Sequence, residues 1–142
     1  MSEISEITGS CLCKGTRLTA KNVGNRVGAC HCGMCRKWSG GPLMALDCGT
    51  EVTLEGEENI TVFNSSMWAE RGFCNKCGCH LFYRLKGNQQ YIVPVGLLEN
   101  REEFEMDHQV FIDEKPEFYT FANETQDMTG AEVFAKYGPS AD

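Results

Sequence analysis

Seven of the nine cysteines in this 142-residue chain fall into three short clusters, and no other feature restricts the fold as much. The first cluster is Cys11-Leu12-Cys13, and the second is Cys30-His31-Cys32-Gly33-Met34-Cys35. The third is Cys74-Asn75-Lys76-Cys77-Gly78, with Cys79 directly after it. An odd total suits a complete disulfide framework badly. In a reducing compartment, clustered thiols bind metal more often than they pair. The N-terminal MSEISEITGS has two glutamates and no apolar core, so it does not read as a secretory leader. No apolar run approaches membrane-spanning length, and the expected compartment is the cytoplasm.

The C-x-x-C-G turn of the third cluster points two thiolates at one metal, and its glycine allows the backbone to bring amide groups toward sulfur. Structural zinc is almost always tetrahedral, and four cysteines are a common ligand set. Counting suggests a partition of four plus three. Cys11 and Cys13 join Cys74 and Cys77 in a closed site, which leaves Cys30, Cys32 and Cys35 as a trio with an open fourth position. Three protein ligands plus an exchangeable one is the usual arrangement of catalytic zinc. A thiol substrate bound there would ionise near neutral pH and become a usable nucleophile. Spacing leaves alternatives. Cys79, Cys48, His31 or His80 could close the trio, the three thiols could be empty and reduced, and the C-x-x-C pair could instead join part of the second cluster.

Length and composition fit one domain, residues 1–142, with a modest core that the metal assists: 42% of residues are hydrophobic and 23% charged. The net charge of −7, with no run of Lys or Arg, argues against nucleic acid and anionic membranes as partners. Strand signals dominate. Short extended or alternating runs occur at Thr16–Ala20, Leu43–Leu46, Val52–Leu54 and Ile60–Val62, the last two separated by what reads as a hairpin loop, Glu55–Asn59. His80–Leu85 and Tyr91–Val95 read as a strand pair joined through Lys86-Gly87-Asn88, and His108–Ile112 as a further strand. Helix is expected only at Thr129–Tyr137, where Thr129 and Glu132 have capping-box spacing and Gly138-Pro139 supplies a stop. The expected fold class is all-β, built of small antiparallel sheets with cysteines at strand ends and turns.

Taken in order, G-S-C-x-C (Gly9–Cys13), C-H-C-x-x-C-R (Cys30–Arg36) and F-C-x-x-C-G-x-x-L-F-Y-R (Phe73–Arg84) resemble the glutathione-dependent formaldehyde-activating enzymes and the related domain of centromere protein V. HQVFIDEKPEFY (His108–Tyr119) resembles that family's last strand, so the likeness spans nearly the whole chain. The resemblance implies a β-tent of small sheets meeting at a structural zinc held by Cys11, Cys13, Cys74 and Cys77. It implies a second zinc at Cys30, Cys32 and Cys35, where glutathione acts, and a carbon–sulfur lyase reaction that joins glutathione to formaldehyde as S-(hydroxymethyl)glutathione. Cys79 and His80 depart from the small polar residues more usual after the C-x-x-C-G turn, and Cys48 lies outside the motifs. Arg36 is a candidate for holding a carboxylate of the thiol substrate. His31 reads chiefly as a polar turn residue, and Trp38, Trp68, Phe73, Phe82 and Tyr83 chiefly as core. The competing functional readings are a non-catalytic zinc module that binds another protein, and a thiol or metal sensor using Cys79 or Cys48.

Overall fold

The computed structural model describes residues 3–99 and 101–137. The chain is mostly β-strand, arranged as two sheets with the main core between them. The smaller sheet has the order β1-β2-β5, formed by Glu3–Ser10 (β1), Arg17–Gly24 (β2) and Val52–Glu55 (β5). The larger sheet contains Arg26–Cys30 (β3), Leu43–Gly49 (β4), Ile60–Phe63 (β6), Ala69–Cys74 (β7), His80–Leu85 (β8), Tyr91–Pro94 (β9), Glu105–Val110 (β10) and Gln126–Met128 (β11). Its order is β11-β10-β3-β4-β9-β8-β7-β6.

Alternation of side chains across each strand puts one apolar face of each sheet inward. The small sheet contributes Ile4, Ile7, Leu18, Ala20 and Val23, and the large sheet meets them with Val27, Leu46, Leu81, Phe82 and Val93, all buried. Gly72 on β7 allows close packing of the sheet, because a Cβ there would run into the Phe82 ring. Most neighbours are antiparallel, but β10 runs parallel to both β3 and β11, so the larger sheet is mixed.

The segments expected as strands at Leu43, Val52, Ile60, His80 and Tyr91 are strands. Two expectations change. Val52–Glu55 and Ile60–Phe63 are not the arms of one hairpin: β5 pairs with β2 and β6 with β7. Gly56, at φ 78°, and the 3₁₀ turn Glu57–Asn59 instead carry the chain from one sheet to the other. The strand expected at His108–Ile112 ends at Val110, because Phe111 takes left-handed backbone at φ 56° and a 3₁₀ turn follows.

Two α-helices are present, Gly33–Ser39 (α1) and Gly130–Tyr137 (α2). The second has the expected reciprocal cap. Thr129 N–H donates to Glu132 Oε1 at 2.7 Å, and Glu132 N–H donates to Thr129 Oγ1 at 3.2 Å. Its proposed stop, Gly138-Pro139, lies outside the described residues. The first helix was not expected. It follows the end of β3 and carries Cys35 and Arg36.

Candidate metal centres and active site

Strand ends and tight turns bring the seven clustered cysteines into two groups. In the first, the sulfurs of Cys11, Cys13, Cys74 and Cys77 lie within 4.8 Å of one another; in the second, so do those of Cys30, Cys32 and Cys35. No other such group of His, Cys, Asp and Glu occurs among the described residues.

The first group is built from two facing knuckles. The chain turns after Cys11, with Lys14 N–H donating to Cys11 O at 3.0 Å, and Gly15 N–H is directed at Cys13 Sγ at 3.4 Å. On the opposite side β7 ends at Cys74. Gly78, at φ 81°, closes the turn by donating to Cys74 O at 2.8 Å, and Lys76 N–H is directed at Cys74 Sγ at 3.4 Å. Cys13 Sγ is 3.6 Å from Cys11 Sγ and 3.7 Å from Cys74 Sγ. Four thiolates about 2.3 Å from one tetrahedral zinc stand about 3.8 Å apart, so the sulfur spacing and the donor set both fit that ion. Cys74 is fully buried in the main core while Cys13 is exposed, so the group fastens a surface turn to the interior.

The second group gathers around the start of α1. Cys30 ends β3. Cys32 is the helix cap, its Sγ accepting from Cys35 N–H at 3.3 Å, and Cys35 is buried on the first turn. Cys30 is pushed well above the usual thiol range by its hydrogen bonds with Cys32 and Cys35 and by burial. The same bonds, from Cys30 and Cys35, hold Cys32 well below that range. Crowded sulfurs of this kind share their protons and favour a thiolate. That is the state a divalent metal takes up, so this donor set fits zinc as well.

None of the suggested fourth ligands closes the trio. His31 is fully buried rather than a polar turn residue. Its Nε2 meets Gln109 Oε1 at 2.7 Å and its Nδ1 meets the Tyr119 hydroxyl at 2.8 Å. Gln109 Nε2 in turn donates to Thr125 Oγ1 at 2.9 Å, which leaves Gln109 Oε1 to accept from His31. The imidazole is therefore the neutral Nε2–H tautomer, with the tyrosine O–H donating to Nδ1. Cys79 belongs to the other group's surroundings, where its sulfur accepts from Leu12 N–H at 3.3 Å. Cys48 is sealed in the main core and pushed up to about 12 by burial and by the neighbouring Asp47 carboxylate. His80 stacks on Trp38 with ring centres 4.2 Å apart, and burial and then the Arg71 charge lower its pKa.

Two arginines stand at the trio. Arg36, half-buried, uses Nε to donate to His31 O at 2.9 Å and so holds the Cys30–Cys32 loop. Arg71 was not singled out from sequence. It is buried on β7 with Nη2 directed at Cys35 Sγ at 3.7 Å, and its guanidinium lies 4.9 Å from the Tyr83 ring centre and 5.7 Å from that of Trp38. The available signal was its position three residues before Cys74, in phase with Ala69 and Phe73 on the strand leading into the C-x-x-C turn. Tyr119 lay inside a noted motif but was read as strand.

A cavity of about 600 Å³ lies beside the four-cysteine group, lined in part by Cys11, Lys14, Cys79, His80 and Leu97. Its cysteine wall belongs to a set that four thiolates already complete, so the position able to accept a further ligand is at the trio instead.

A mixed-sheet β protein with one four-cysteine and one three-cysteine centre defines a class of small metal-binding domains, and the sequence comparisons narrow it. The chain matches the family described as glutathione-dependent formaldehyde-activating enzyme over residues 6–114. It is 38% identical over 129 residues to an uncharacterized lyase of Schizosaccharomyces pombe, covering 90% of this chain and 94% of that protein. The crystal structure of a Rhodobacter sphaeroides protein shares the fold, with a TM-score of 0.57 at 24% identity over 70% of this chain and 96% of that one. The chain belongs to the glutathione-dependent formaldehyde-activating enzyme family.

Proposed function

We propose that this protein is a zinc-dependent carbon–sulfur lyase that makes and breaks the bond between a thiol and an aldehyde carbon, with glutathione and formaldehyde as the substrate pair. Cys11, Cys13, Cys74 and Cys77 would hold a structural zinc, and Cys30, Cys32 and Cys35 a second zinc. The observation that carries the reading is the trio's composition: three thiols within 4.8 Å of one another, while His31, His80, Cys48 and Cys79 are each engaged elsewhere. Family membership and the lyase name of the yeast relative support the reaction class.

Zinc at such a site supplies acidification of a bound thiol and Lewis-acid polarisation. The chain's own residues supply the rest. Cys35 N–H and Arg71 Nη2 donate toward the cluster sulfurs and favour their ionised forms. Arg36 fixes the ligand loop through Nε, and its terminal nitrogens are suited to a substrate carboxylate. The neutral His31 and the Tyr119 hydroxyl lock the backbone between Cys30 and Cys32 rather than enter the metal set.

Zinc analysis with thermal melting tests the reading. The wild type is expected to hold two zinc ions per chain. Cys35→Ser is expected to hold one, to melt within a few degrees of wild type and to lose turnover of glutathione with formaldehyde. Loss of folding in that variant would make the trio structural, and retained turnover would remove it from catalysis.

A further inference from the structure

Sheet geometry separates the arginines that lie nearest the trio in the β7–β8 pair. Glu70 and Arg71 are consecutive on β7, so their side chains leave opposite faces of the sheet. On one face Glu70 is fully used: Arg84, its cross-strand partner, binds it through Nε at 2.8 Å and Nη2 at 2.7 Å, and also donates to the Tyr91 hydroxyl at 2.9 Å. On the other face Arg71 is 3% exposed and makes no ion pair with a carboxylate among the described residues. Its Nη2 points at Cys35 Sγ, and its Nη1 is buried with no hydrogen-bond partner among the described residues. A buried guanidinium without a carboxylate is costly unless anionic groups face it, and an unused buried donor adds to that cost. The trio's sulfurs supply one such group, through Nη2. The second arm of the same planar fork remains available beside them, walled by the faces of Tyr83 and Trp38.

We infer that Arg71 is the oxyanion-holding residue of this site: Nη2 steadies the Cys35 sulfur while Nη1 takes the oxygen on the carbon that bonds to the substrate sulfur. This rests on the lyase reading above. As the sulfur–carbon bond forms, the carbonyl π pair moves to oxygen, and the resulting alkoxide then takes a proton from solvent. In reverse the hydroxyl loses that proton and the carbon–sulfur bond breaks, returning the pair to sulfur. The charge on oxygen is greatest between these two states, which is where a fixed, water-excluded donor has most effect. Arg36 cannot substitute, because its Nε is committed to the His31 carbonyl.

Formate, a one-carbon oxyanion, is the probe. Zinc-loaded wild type, Arg71→Met and Arg71→Lys are titrated with sodium formate at constant ionic strength, following tryptophan fluorescence, since Trp38 lies against the Arg71 guanidinium. Melting temperature and zinc content are recorded for each. Wild type is expected to respond saturably, Arg71→Met to bind at least about tenfold more weakly, and Arg71→Lys, which keeps the charge but not the fork, to fall between. Either folded, zinc-replete variant binding formate as wild type does would overturn the inference. So would a wild type with no saturable response, whatever the variants do. A wild type that binds formate through Arg71 yet turns over no thiol–aldehyde pair would overturn the lyase reading and support the anion site alone.

Discussion

Replacing Cys74 by alanine separates a metal ligand from an ordinary core residue, because the fold contains its own control. Cys74 and Cys48 are both fully buried and both belong to the main core between the sheets. Cys48 has no second sulfur grouped with it, whereas Cys74 Sγ lies 3.7 Å from Cys13 Sγ within a set of four. Truncating either to alanine removes one sulfur from a packed interior, worth about 1–2 kcal/mol by analogy with one to two buried methylenes. For a chain of this size that lowers Tm by roughly 5 °C. If Cys74 also holds a structural zinc, the coupled binding energy is far larger, about 10–16 kcal/mol for such sites. That equals or exceeds the whole stability of a typical domain, about 5–15 kcal/mol. Cys48→Ala should therefore fold and melt a few degrees below wild type with its zinc intact, while Cys74→Ala should be unfolded or insoluble. Circular dichroism melts with zinc analysis on both variants decide it. Equal, small shifts in Tm with equal zinc contents would refute the structural-zinc assignment.

Other consequences are smaller but equally direct. His31→Ala removes a fully buried ring and leaves Gln109 Oε1 without its donor, so it should cost about 3 kcal/mol in urea denaturation; a loss below about 1 kcal/mol would show that the Tyr119–His31–Gln109 chain does not hold the ligand loop. Burial, then Asp47, raises the Cys48 thiol to about 12, so the unfolded chain gives up that proton at lower pH than the folded one. The stability contributed by this thiol is therefore present below about pH 9 and declines as pH rises toward 12. Stability followed with pH in wild type and Cys48→Ala should diverge only in that alkaline window, and divergence near neutrality would contradict the assignment.

The four-plus-three grouping of the cysteines was legible because C-x-C and C-x-x-C spacings are local: a tight turn between two ligands needs no knowledge of the rest of the fold. The strands at Leu43, His80 and Tyr91 were legible for the same reason, and so was the Thr129–Glu132 cap. What escaped depended on partners distant in sequence. Strand β1 buries Ile4 and Ile7, three residues apart, so it shows no simple alternation. The seven residues of α1 carry glycine, cysteine and tryptophan, and they are helical because Cys32 caps them and the trio needs Cys35 on the first turn. Val52–Glu55 and Ile60–Phe63 looked like a hairpin locally, yet their partners are β2 and β7. His31 carries no local sign that Gln109 and Tyr119, on a parallel strand and the loop after it, reach back to it. Arg71 reads as a surface charge until β8 and α1 are placed around it.

The measurement closest to the central claim is the rate at which formaldehyde and glutathione interconvert with S-(hydroxymethyl)glutathione, read by ¹³C exchange NMR with labelled formaldehyde. Zinc-loaded wild type at micromolar concentration should raise that exchange rate in proportion to enzyme, and Cys35→Ser, folded and holding one zinc, should return it to the uncatalysed value. Exchange no faster with wild type than without it, or equally fast with Cys35→Ser, would contradict the account.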